Sequence, residues 1–158
     1  MVAFLFIIII FMIAVAFCLH LARPRSMVKH NEKKLSETLT RLLQKPRGSH
    51  IIIEEPGSGK YLQVSGSIME PIVFDLPCQA LTLDEYDRAH RLFTTSGYDG
   101  PETFAIYESY TGRPSGTQTS FLLTWGRENI TQLRKLIMQV FSQVYRVDTR
   151  VVLNIVEQ

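Results

Sequence analysis

An apolar run without any charge extends from Met1 to Ala22, and the first charged side chain is Arg23. A helix of about 20 apolar residues rises roughly 30 Å, which is the thickness of the hydrocarbon core of a bilayer. A cleaved secretory signal would have a basic start and a shorter apolar stretch, and a buried core helix is rarely apolar on every face. The pattern therefore predicts a transmembrane helix over residues 1–22.

Basic residues follow this apolar run, and none precedes it. The five nearest are Arg23, Arg25, Lys29, Lys33 and Lys34. By the positive-inside rule, the chain after the span is expected in the cytoplasm, at the plasma (inner) membrane of a bacterium. The same five side chains are expected to contact anionic lipid headgroups.

Beyond the span, the spacing of apolar residues alternates between helical and strand-like periods. Leu35, Leu39 and Leu42 fall on one face of the first helix. Thr82 and Glu85 have the spacing of a capping box at the start of the second helix. The pattern predicts helices over 27–44, 82–94 and 127–145, and strands over 50–55, 61–65, 71–76, 103–109, 118–125 and 149–156.

Short strands in runs, rather than strict strand–helix alternation, favour an α+β domain over a doubly wound sheet. The expected order is α-βββ-α-ββ-α-β, with a small antiparallel sheet and packed helices. The domain boundaries are a membrane anchor at 1–22, a basic juxtamembrane segment at 23–49, and an α+β domain at 50–158 that packs with helix 27–44.

The charge differs between these parts of the chain. Residues 23–49 carry eight basic and two acidic side chains, whereas residues 50–158 carry nine basic and thirteen acidic ones. A nucleic-acid-binding domain needs an excess of cations to meet the phosphate backbone. The acidic balance of the folded part therefore argues against nucleic acid as its partner.

The element order from helix 27–44 to helix 127–145 resembles that of the type III secretion chaperone-like fold and its bacterial relatives. The resemblance covers most of the chain after the span and rests on element order alone, so it transfers no site residue. Members of that group generally bind other proteins and are not enzymes. The membrane span and the additional C-terminal strand depart from the secretion chaperones. The resemblance implies a protein-binding role.

A glycine-rich stretch from Glu55 to Lys60 partly matches a phosphate-binding loop. The leading glycine of that motif is replaced by Glu54, and the hydroxyl residue after the lysine is replaced by Tyr61. Because both groups are needed to hold phosphate and Mg²⁺, the stretch is better explained as a hairpin turn.

Three further positions could carry chemistry. Asp84 and Asp87 lie near His90 on the second helix, where a metal or acid–base pair is conceivable. His90 is, however, on the same face as Leu83, Tyr86 and Phe93, which favours a packed histidine. Cys78 could act as a nucleophile with His50 or His90 as its base, although a small, partly buried thiol is the simpler interpretation.

These observations predict a membrane-tethered protein-binding module of the chaperone-like, adaptor or immunity type. No catalytic residue, cofactor or metal is expected, and the partner is expected to be a protein. Two alternatives stay open. One is a small membrane-bound enzyme that uses Asp87 and His90, or Cys78. The other is a structural subunit of a membrane complex.

Overall fold

The computed structural model describes residues 30–107, 112–148 and 150–158. The predicted span over residues 1–22 and the basic residues Arg23, Arg25 and Lys29 lie outside these ranges. Among the residues that are described, no helix is both long enough and apolar enough to cross a membrane.

The described chain has three α-helices. Helix α1 covers residues 30–42, α2 covers Leu83–Thr95, and α3 covers Ile130–Gln139. A 3₁₀ turn at Arg127–Asn129 precedes α3, and a π-helical turn at Val140–Val144 continues it. The three predicted helices are confirmed, and the ends that the structure describes are shifted by a few residues; residues 27–29 of the first helix lie outside the described ranges. The capping box of Thr82 and Glu85 is present at the start of α2.

Six strands of the described chain form one antiparallel sheet in the order β4-β5-β3-β2-β1-β6. This arrangement confirms the predicted α+β class and its antiparallel sheet. The strands are β1 Ser49–Glu54, β2 Tyr61–Gly66, β3 Ile72–Pro77, β4 Glu102–Tyr107, β5 Pro114–Trp125 and β6 Asn154–Glu157.

Two strand boundaries were wrong. Strand β5 begins at Pro114 and not at residue 118, because Pro114 and Gly116 pair with Tyr107 and Ile106 of β4. These pairings override a local composition that is typical of a turn. Strand β6 begins at Asn154 and not at residue 149.

The late start of β6 has a local cause. A turn closes where the Val151 amide donates to the carbonyl of Asp148 at 2.9 Å. The Asp148 side chain also accepts from the Arg150 amide at 2.8 Å. These bonds place Arg150 and Val151 in a turn, and the pairing with β1 begins after it, at Asn154.

All three helices pack on one face of the sheet and form a single core with it. Phe74 of β3, Phe93 of α2 and Phe121 of β5 meet at its centre, where the Phe93 and Phe121 rings are 4.7 Å apart. The remaining core residues are mainly aliphatic. Fully buried examples are Leu35, Leu39, Leu42, Ile51, Ile53, Leu62, Val64, Leu133, Ile137 and Val140.

Helix α1 runs beside β6 and in the same direction. At its start, the Asn31 side chain donates to the carbonyl of Val151 at 2.9 Å and accepts from the amide of Leu153 at 3.1 Å. At its end, Arg41 is 2.6 Å from the carboxylate of Glu157. The start of α1 therefore lies at the end of the sheet where β6 begins.

Candidate functional site

The two faces of the sheet have different surroundings. Alternate residues of each strand point to the helices, and the others point away from them. We call the second surface the open face. None of its apolar side chains belongs to the core cluster of the described residues. The open face is formed by His50, Ile52, Glu54, Tyr61, Gln63, Ser65, Val73, Asp75, Glu102, Phe104, Ile106, Gln118, Ser120, Leu122, Thr124, Asn154 and Val156.

One row of the open face crosses five strands in direct register. Val156 pairs with Ile52, Ile52 with Gln63, Gln63 with Asp75, and Asp75 with Leu122. Ile52, Gln63, Asp75 and Leu122 are half-buried, and Val156 is exposed. The row is therefore apolar at both ends and has a carboxylate near its middle.

The carboxylate of Asp75 is held in a small polar cluster between β3 and β5. The Gln118 amide donates to Asp75 at 3.1 Å and to the Ser120 hydroxyl at 2.9 Å. Ser120 is completely buried. Burial raises the pKa of Asp75 above its ordinary value, although hydrogen bonds from Ser120 and Gln118 act in the opposite direction. Because burial outweighs these bonds, the ionised carboxylate is less well solvated here than in water.

The six described strands contain no lysine or arginine. Glu54, Asp75 and Glu102 place their carboxylates on the open face. His50 lies on the same face, and its ring bonds to the Gln158 side chain at 2.8 Å. The open face is consequently acidic, and no strand supplies Asp75 with a cation.

Cys78 follows β3, close to the same cluster, and is half-buried. Burial raises the pKa of its thiol, and the negative charge of Asp75 raises it further, against a smaller opposing effect of a backbone hydrogen bond from Phe121. A thiol with a raised pKa remains protonated at neutral pH and is a poor nucleophile. His50, one of the two bases considered for it, bonds to Gln158.

The acidic cluster of α2 is not assembled into a site. Asp84, Asp87 and His90 are all exposed. His90 was expected to pack on the face that carries Leu83, Tyr86 and Phe93. Its ring lies 6.4 Å from that of Tyr86, centroid to centroid. The side chain is nevertheless exposed, because the buried face of α2 is set by Glu85, Ala89 and Phe93, and His90 is one position away from Ala89. Across the residues that the structure describes, no three His, Cys, Asp or Glu side chains converge where they could hold a metal ion.

The glycine-rich stretch is a hairpin turn between β1 and β2, as predicted, since Glu54 pairs with Tyr61. Lys60 is engaged inside the protein, where its ammonium group donates to the carbonyl of Tyr145 at 3.0 Å. The same group is 3.7 Å from Glu55 and 3.9 Å from Glu85. Lys60 therefore joins the turn to α2 and to the end of α3 and is not displayed to a phosphate.

Sequence reasoning did not single out Asp75, Gln118 or Ser120. The available signal was Asp75 itself, an acid placed between Phe74 and Leu76 in a strand of otherwise apolar residues. Gln118 lies 43 residues further along the chain. Pairing of β3 with β5 brings the two together, and a single sequence does not indicate that pairing.

Within residues 30–107, 112–148 and 150–158, the fold is a small α+β domain that has helices on one side of its sheet and no helix on the other. A comparison with known protein families, curated proteins and solved structures finds no match to this chain. The function therefore has to be inferred from the open face, and in particular from the surroundings of Asp75.

Proposed function

We propose that this protein is a membrane-tethered protein-binding module of the chaperone-like, adaptor or immunity type. Its open face binds a basic and partly apolar segment of a partner protein, on the cytoplasmic side of the membrane. The uncharged run over residues 1–22 and the basic residues after it support the tether and its orientation. The resemblance in element order to the type III secretion chaperone-like fold supports a role in protein binding.

The observation that carries the proposal is the half-buried carboxylate of Asp75 on a central strand, in a sheet whose described strands contain no lysine or arginine. A partner that covered Asp75 with apolar groups alone would bury a charge without compensation, which is strongly unfavourable. A partner that brings a cation meets a carboxylate already oriented by Gln118 and Ser120. The proposed segment therefore carries an arginine or a lysine opposite Asp75.

Arginine is the better fit of the two. Its planar guanidinium presents paired N–H donors that match the two oxygens of a carboxylate, and it is more weakly hydrated than an ammonium group. Ile52 and Leu122, in the same row as Asp75, offer apolar surface to the neighbouring side chains of the segment. Such a charged contact inside an apolar patch is typical of the centre of an interface.

Site-specific crosslinking tests the proposal. A photoreactive amino acid is placed at Thr124, which is exposed on the open face beside Val73, or at Lys135, which is exposed on α3. In cells that express the full chain, we expect a crosslinked protein from position 124 and none from position 135. Mass spectrometry of the adduct should identify a segment with arginine or lysine next to apolar residues.

Charge reversal supplies the matched control. The Asp75→Lys variant should lose the adduct, whereas Asp87→Lys, which reverses an exposed charge on α2, should retain it. An adduct from position 135 that persists in Asp75→Lys would contradict the proposal. An acidic or uncharged segment in the adduct would contradict its charge argument.

A further inference from the structure

Large exposed apolar side chains lie at both ends of the sheet. Leu83 is 87% exposed and Val152 is 40% exposed, whereas Met69 is 83% exposed and Ile68 is 48% exposed. We call the end with Leu83 and Val152 the proximal end, because α1 begins there. The end with Ile68 and Met69 is the distal end.

Hydrogen bonds fix Val152 beside the start of α1. Its two neighbours, Val151 and Leu153, both bond to the side chain of Asn31, at 2.9 and 3.1 Å. The first turn of α1 and the exposed Val152 side chain therefore belong to one small surface.

Leu83 is placed at the same end by the direction of the strands. Asn154 pairs with Glu54, and Glu54 pairs with Tyr61, so β1 ends and β2 begins at this end. Because β3 runs antiparallel to β2, it ends there too, and α2 begins shortly afterwards with Leu83. Lys60 ties this start of α2 to the end of α3 by contacts with Glu85 and the Tyr145 carbonyl.

The distal end is equally well defined. Ile68 and Met69 follow β2 in the turn to β3, and the amide of Ile68 donates to the carbonyl of Lys45 at 2.8 Å. Lys45 comes after the last residue of α1. Ile68 and Met69 therefore lie at the opposite end of both the sheet and α1 from Leu83 and Val152.

The length of the connection limits how far the proximal end can be from a membrane. Seven residues, 23–29, separate the apolar run from His30. Even a fully extended chain of that length spans at most about 25 Å. If residues 1–22 cross the bilayer, as proposed above, the start of α1 is confined to that distance from the membrane boundary, and the distal end lies a domain length further away.

We propose that the proximal end contacts the lipid bilayer through Leu83 and Val152. The proposal rests on the proposed membrane tether. Apolar side chains at a membrane interface insert among the headgroups and acyl chains. Two such side chains bind weakly alone, but a tether makes the contact intramolecular and raises its effective concentration. Strands β1, β2, β3 and β6 run away from this end, whereas the β4–β5 hairpin extends past it, because Pro77 at the end of β3 pairs with Ser120 within β5. The part of the open face on those four strands then faces sideways, where a partner can reach it.

Fluorescence quenching by brominated lipids tests the contact in the full chain. Trp125 is the single tryptophan, so the Trp125→Phe variant has no tryptophan fluorescence and serves as the background. Leu83→Trp and Met69→Trp then each add one probe, at sites that are 87% and 83% exposed at opposite ends. The protein is reconstituted into vesicles of phosphatidylcholine and phosphatidylglycerol, with and without bromine on the acyl chains.

We expect the bromine to reduce the fluorescence of Leu83→Trp at least about twofold and that of Met69→Trp only slightly, because this quenching acts at contact range. Val152→Trp provides a second proximal probe and should behave like Leu83→Trp.

Equal quenching at positions 83 and 69, whether strong or absent, would overturn the bilayer contact. Flotation with the vesicles is measured first. Protein that fails to float would overturn the tether itself, whereas floating protein without quenching at 83 and 152 overturns only the contact.

Discussion

The helix-covered face and the open face of the sheet are built from the same strands, yet their side chains lie in different environments. In β3, Phe74 is completely buried and packs against Phe93 and Trp125, whereas the next residue, Asp75, is half-buried and bonds to Gln118. On the covered face, apolar burial stabilises the fold. On the open face, a carboxylate is kept in a place that disfavours its charge.

This difference separates residues that the fold needs from residues that it tolerates. The apolar core holds the three helices on the covered face, whereas on the open face the ionised form of Asp75 is disfavoured by its burial. Functional sites commonly contain such features, because binding groups are selected for their contacts with a partner. We therefore infer that the polar cluster of the open face is kept for binding.

The largest expected difference between the faces is in unfolding free energy. Phe74→Ala should destabilise the domain by about 3–5 kcal/mol, because it leaves a cavity between the sheet and α2. Leu122→Ala, on the open face, should cost only about 1 kcal/mol, because its side chain is half-buried and leaves no enclosed cavity. Urea denaturation of both variants measures the contrast. Equal losses would mean that the open face is part of the core.

A smaller effect is expected at the proximal end, where Lys60 joins three elements. Lys60→Met should destabilise the domain by about 2 kcal/mol, because the Tyr145 carbonyl loses its donor and the buried Glu85 loses a nearby cation. Lys135→Met, an exposed change on α3, is the control and should change the stability little. If both variants unfold at the same denaturant concentration, the ammonium group of Lys60 is not structural.

The fold was predictable in segments where apolar residues recur at one clear spacing, either that of a helix or that of a strand. The spacing of Leu35, Leu39 and Leu42 identifies α1, and the apolar face of the last helix appears in the structure as the buried side chains of α3 and its π-helical turn. The start of β5 was not predictable, because Pro114 and Gly116 indicate a turn locally and only pairing with β4 makes them a strand.

The open face was not predictable for a different reason. Alternation shows that a strand has two faces, but which face the helices cover depends on contacts between distant parts of the chain. His90 lies beside Tyr86 as its spacing indicated, but it is exposed, since it is one residue away from the buried Ala89. The site around Asp75 required both kinds of long-range information.

A still smaller effect, with a defined pH dependence, is expected for the ion pair between α1 and β6. Hydrogen bonds from Arg41 and Lys45 lower the pKa of Glu157, so its ionised form is favoured in the folded state. Glu157→Gln should therefore cost about 0.5 kcal/mol at neutral pH, as is typical of a largely solvated pair.

The sign of this effect can be checked by titration. A lowered pKa in the folded state contributes stability above the ordinary value of 4.5, and this contribution is lost as the pH falls through the lowered pKa. The stabilities of wild type and Glu157→Gln should converge in acid. Curves that remain parallel down to acidic pH would show that the loss in Glu157→Gln does not come from its charge.

The most direct test of the account combines stability and binding in one variant, Asp75→Asn. Because the pKa of Asp75 is raised in the folded state, the contribution of Asp75 to stability should fall as the pH rises from about 3.8 through the raised pKa. The asparagine has no such dependence and can still accept the bond from Gln118. We expect the melting temperature of Asp75→Asn to be slightly higher than that of wild type at neutral pH, and this difference should shrink in acid.

The same variant should bind the crosslinked partner at least about tenfold more weakly, because the partner's cation loses its counter-charge. A variant that is less stable than wild type at neutral pH, or that binds the partner equally well, would contradict the claim that Asp75 is kept for binding.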